Sequence, residues 1–194
     1  MSKIQRGYKF LTSDMRSMHG NAQWIIGKWC QHDGKLEICR SGFHASEDPY
    51  DSLQYVYGPR WFSIEAKGKI LRDKDKFVAR EMRIVKELPT KRIAVKFAVA
   101  CARHTLSKFE TKYPEDDRPR KALEAAETWI QKPTKENEVA AEYAAEYAAW
   151  SAESAAEYAA WSARSAARSA AESNEIEWQR KQLHEIIKEE LKNF

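Results

Sequence analysis

All seven glycines of this 194-residue chain lie at or before Gly68, and none follows. Glycine punctuates turns and is costly inside helices. The distribution therefore predicts a turn-rich front half and an almost wholly helical back half. Charge divides along the same line, with net +5 over residues 1–90 and net −1 over 91–194. The run ELPTKR, Glu87 to Arg92, marks the boundary. The expected fold class is α+β. A curved antiparallel sheet with short helices occupies 1–89, a β-rich ligand-binding domain. An all-α bundle with long Ala-rich helices occupies 90–194.

In the front half, GYKFL reads as a short strand, and RWFSIEAKGKI and FVAREMRIVKEL alternate as further strands. Asp33-Gly34 sits between apolar flanks in QWIIGKWCQHDGKLEIC and predicts a type I′ hairpin. DPYDSLQYV reads as a short helix, with Asp48 near its N-cap and Pro49 in its first turn.

The back half opens with TKRIAVKFAVACARHTLSKFETKY, where Ile93, Phe97 and Ala100 recur at helical spacing. A second helix follows Asp116, Asp117 and Pro119, and Thr134 can cap a third. An eleven-residue repeat then appears: AAEYAAWSAES at 144–154 returns as AAEYAAWSARS at 155–165. Eleven residues make three helical turns, so Tyr147 stacks over Tyr158 and Trp150 over Trp161. The repeat reads as a helix packing face; a ladder for nucleic-acid bases is opposed by Glu142, Glu146, Glu153 and Glu157. Its thin alanine face also suits self-association, hence a homo-oligomer through the helical domain. Ile176, Leu183, Ile187 and Leu191 form a final amphipathic stripe. One helix over 134–193 would span roughly 90 Å. A break near Ser173-Asn174, or a partner along its length, is therefore expected.

Bulk properties exclude several classes. With 43% hydrophobic and 32% charged residues the chain should pack a core. A net charge of +4 does not argue for nucleic acid. Three cysteines suggest a reducing compartment. No signal peptide opens the sequence, and no apolar run could span a bilayer, so a cytoplasmic protein without a membrane partner is expected.

Chemistry-bearing motifs are sparse. Cys30, His32, Cys39 and His44 lie near one another, but without the tight pairs zinc favours, so no metal is expected. Cys101 and His104 sit on an apolar helix that would raise the thiol pKa, against a nucleophile. The phosphate-loop, dinucleotide, nucleophile-elbow and zinc-protease signatures are all absent. No cofactor and no catalytic residue are expected. His44, in SGFHASEDPYDSLQYVYG, has three open readings: scaffold, ligand donor, or general acid or base.

Three resemblances follow from longer patterns. GFHAS, then DSLQY, then DKDKFVARE, over about residues 7–88, resembles a phage and bacterial domain family of unknown function. Tyr113 to Ala125, YPEDDRPRKALEA, resembles the immunity family linked to bacterial polymorphic toxins, over about 93–172. That likeness implies a role in biological conflict and supplies no active site. The order Tyr8-Lys9, His44-Ala45-Ser46, Tyr55, Glu81 is similar to that of mono-ADP-ribosyltransferases. It departs from them at the opening motif, and at Ala79, where a paired residue would stand.

The residues together favour a non-enzymatic binding protein of phage and bacterial conflict that sequesters a small anionic, nucleotide-derived signal as counter-defence. Its ligand-binding residues would be Tyr8, Lys9, Arg40, His44, Ser46, Tyr55, Arg80 and Glu81. The alternatives are an immunity or inhibitor protein that binds a toxin or effector protein, and an ADP-ribosyltransferase-like enzyme.

Overall fold

A computed structural model describes residues 3–20, 22–54, 58–143 and 168–192. The chain divides into two compact units, Met1–Thr90 with Leu183–Phe194, and Lys91–Gln182.

The first unit is built on two long strands, β4 (Arg60–Arg72) and β5 (Phe77–Leu88), paired antiparallel. The tight connection between them follows from the DKDK run: Asp73 donates its amide to Lys76 O at 2.9 Å, and its carboxylate accepts from the Lys74 amide at 2.8 Å. Two bulges curve the ladder, at Ser63/Ile64 and Lys67/Ile70. Gly68, at φ +76°, supplies the left-handed residue of the second.

Strand β1 (Gln5–Leu11) pairs with β4, and β2 (Cys30–Gln31) and β3 (Phe43–Ala45) both pair with β5. The sheet curls until β1 meets the end of β3, where Tyr8 and Ser46 exchange two backbone hydrogen bonds, of 2.8 and 3.1 Å. That meeting requires Gly7, since a Cβ there would stand 2.5 Å from Ser46 O. The core of this unit buries Leu11, Trp24, Phe62, Ile64, Phe77, Met82 and Ile84. Helix α1 (Pro49–Ser52) follows β3, and the Asp48 carboxylate caps it at 2.7 Å from the Tyr50 amide.

The type I′ hairpin expected at Asp33-Gly34 does not form. Such a turn needs positive φ at both central residues, and Gly34 is not in that region. Instead Cys30–Gln31 lie along β5, and the Arg80 guanidinium donates to His32 O at 3.0 Å and Gly34 O at 3.2 Å. The exposed edge of a long strand and an arginine fork outcompete a local turn.

In the second unit α2 (Thr90–Lys112) and α3 (Arg118–Gln131) flank the turn that carries the YPEDDRPR motif. The Asp116 carboxylate accepts from the Arg118 amide at 3.2 Å and from its guanidinium at 2.8 and 2.7 Å. Lys121 pairs with Asp117 at 2.8 Å, Arg120 with Glu110, and Arg103 with Glu127. Leu123 and Trp129 are the buried residues of α3. Residues 135–143 are helical (α4), with the Thr134 hydroxyl accepting from the Asn137 amide at 3.3 Å.

Helix α5 (Arg168–Lys192) carries the last amphipathic stripe. Leu183 and Ile187 are buried, as the stripe predicts. The break expected near Ser173-Asn174 is absent: α5 runs through both residues. Neither residue forbids a helix, and Asn174 is exposed, so good helix formers on both sides carry the chain through. The expected repeat ladder of Tyr147, Trp150, Tyr158 and Trp161, and the Ala-rich bundle built on it, fall outside the described residues.

Candidate functional site

Past the Tyr8–Ser46 bridge, a cavity of about 580 Å³ lies between β1, the chain around β3, and residues 17–20 and 22. Small-molecule sites have volumes of this order. Each residue of the GFHAS run builds its wall. Gly42 sits at φ +112°, where a Cβ would come within 2.4 Å of Val78 Cγ2. Phe43 meets the Trp24 ring edge-on at 4.9 Å. Ala45 is buried in the core, and Ser46 closes the seam with Tyr8.

His44 has both ring nitrogens engaged. Its Nε2 accepts from the Cys39 amide at 2.9 Å, so the ring proton sits on Nδ1, which donates to Gly42 O at 3.1 Å. Cys39 is held at φ +64° by this grip. Burial, reinforced by the Lys9 charge, pushes the imidazole pKa below its ordinary value. Of the three readings left open for His44, this geometry is that of the scaffold.

Lys9 comes from β1 and is partly buried. Its Nζ donates to His44 O at 2.9 Å and stands 5.9 Å from the Trp24 ring centre. No carboxylate among the described residues pairs with it. Burial draws its pKa down to about 8. Trp24 is fixed in turn by an indole hydrogen bond of 2.8 Å to Ser17 Oγ.

Of the eight residues proposed from sequence, Tyr8, Lys9, Arg40, His44 and Ser46 line this cavity. Tyr55 lies outside the described residues. Arg80 and Glu81 are placed elsewhere: Arg80 holds the chain around Gly34, and Glu81 pairs with Lys67 at 3.2 Å. A transferase would need the Glu81 carboxylate at the ligand, and here an ion pair occupies it. Sequence reasoning missed Met18, His32 and Phe43. In the sequence His32 stands out only beside Cys30, Cys39 and His44, as a weak metal pattern; its Nε2 lies 2.9 Å from Ser41 Oγ. Met18 sits in a loop with no motif.

In the helical unit, His104 stacks on Trp178 with ring centres 4.0 Å apart, and its Nε2 lies 3.2 Å from Glu175. Burial raises the Cys101 thiol pKa, and Glu175 adds to the shift. This is the opposite of what a nucleophile requires. Among the described residues no helix is long and apolar enough to cross a membrane.

Two family models match the chain. Residues 5–96 match a domain of unknown function, DUF7666, and residues 86–173 match the family described as "Imm-5 like putative immunity protein". The resemblances to a domain of unknown function and to the immunity family are thus met, one in each half; the matches do not include a mono-ADP-ribosyltransferase. No curated protein and no solved structure matches the chain. The immunity match favours the reading of an inhibitor with a toxin or effector protein as partner. Neither match adds support to a nucleotide-derived signal, a phage counter-defence role or a homo-oligomer.

Proposed function

We propose that this protein is an inhibitor of the immunity type, which binds a toxin or effector protein directly and acts without turnover. The observation that carries the reading is the immunity-family match over residues 86–173. The folding of its motif fits a scaffold better than a reaction centre. Four of the five charges of YPEDDRPR are paired, in Asp116–Arg118, Asp117–Lys121 and Glu110–Arg120. Groups committed to such pairs hold a turn in place. A protein inhibitor needs a rigid surface of this kind, because ordering a surface during binding costs affinity.

The test is co-expression of the full chain with candidate bacterial toxin domains, scored by cell survival and by co-elution on size exclusion. Protection together with a stable complex supports the reading. Protection without a complex points to a ligand-level or catalytic mechanism, and overturns it.

A further inference from the structure

Inhibition by the helical half leaves the cavity between β1 and β3 without a role, yet its wall is unusual in charge. Lys9, Arg40 and Lys76 line it with His19, His32 and His44, and no Asp or Glu is among the described lining residues. An ammonium group held partly out of water without a carboxylate partner is costly, and an incoming anion relieves that cost. Lys9 is such a group: its one hydrogen bond goes to the His44 carbonyl, which leaves two N–H donors.

Ser46 lines the same cavity at 4% exposure, its backbone tied to Tyr8. The remaining wall includes Phe10, Met18, Ala22 and Phe43, which offer an apolar surface.

We propose that this cavity binds a small molecule in which one carboxylate or phosphate group is joined to an apolar body. The anionic group faces Lys9, the Ser46 hydroxyl supplies a second polar contact, and the body lies along the Phe43 side. The lowered pKa of Lys9 agrees with a cation awaiting its counter-charge. This site does not depend on the inhibitor reading, and each can fail while the other stands.

The test titrates the full-length protein with phenyl phosphate, benzoate and benzyl alcohol by calorimetry at fixed ionic strength. At least one anion should bind saturably, and the neutral alcohol about tenfold more weakly or worse, as loss of a charge-assisted contact implies. The preference between the two anions identifies which group the site takes. Lys9→Met should lower the anion's affinity to near that of the alcohol. Failure of both anions to bind, equal binding of the alcohol, or unchanged anion binding by Lys9→Met would overturn the proposal. If Lys9→Met does not fold, amide chemical-shift mapping of the wild type decides instead. Shifts centred on residues 8–10 and 43–46 uphold the site, and shifts centred elsewhere reject it.

Discussion

His44 and Lys9 are two bases whose protonation the fold opposes, and both set the sign of a pH effect. Each has a folded pKa below its unfolded value, so the unfolded chain binds more protons between the two values. Stability then rises with pH across that window. For Lys9 the window runs from about 8 to 10.5. In urea unfolding across that range, wild type should gain stability relative to Lys9→Met, and parallel curves would contradict the assignment. For His44 the corresponding loss begins as pH falls through the ordinary histidine value of 6.5. Nitrogen NMR should find the Nδ1–H tautomer at neutral pH and a midpoint below that value; the Nε2–H form would refute the hydrogen-bond pattern. His44→Ala should cost about 1–2 kcal/mol, since the Cys39 amide and the Gly42 carbonyl lose their partner. GFHAS could be singled out in the sequence because glycine before an aromatic and a histidine is uncommon chemistry. What the histidine does there was not legible, because its partners are backbone atoms, and backbone atoms leave no trace in residue identity.

Strand β1 was readable as a short extended run, β4 and β5 from alternation, helix α2 from periodicity, and α3 from its Asp and Pro start. The misplaced element, the hairpin at Asp33-Gly34, failed for a tertiary reason. A favourable turn pair competes with the ladder offered by β5 and with the Arg80 fork, and these lie about fifty residues away in sequence. A local signal cannot report such a competitor. The unexpected continuity of α5 has the converse cause, a local weakness at Ser173-Asn174 outvoted by its flanks. At this scale the account predicts that Gly42→Ala is severe. Its Cβ would meet both Val78 and Leu36, at 2.4 and 2.7 Å, in a backbone region that L-residues avoid. A loss of about 2 kcal/mol or more is expected from strain and overpacking together, read as a fall in the unfolding midpoint. A change within about 0.5 kcal/mol, the range of ordinary surface substitutions, would show that the wall of the cavity is not held as described.

Across the whole molecule, the two halves seen in glycine content and charge also match two different family models, over 5–96 and 86–173. The candidate cavity was partly legible, through basic and aromatic residues near His44. Its remaining wall comes from residues 17–20 and 22 and from His32, which the fold brings alongside. Glu81 entered the proposed site by its place in a motif order and Arg80 as a basic residue; the fold pairs Glu81 with Lys67 and sets Arg80 on backbone carbonyls. Inhibition through the helical half is the central claim, and the cavity is a separate capacity of the sheet half. The most direct measurement is therefore binding of the purified full chain to purified candidate toxin domains, with the toxin's activity followed in the same titration. The account predicts a stoichiometric complex and loss of toxin activity in step with its formation. An undiminished toxin at saturating protein, with no complex formed, would contradict it.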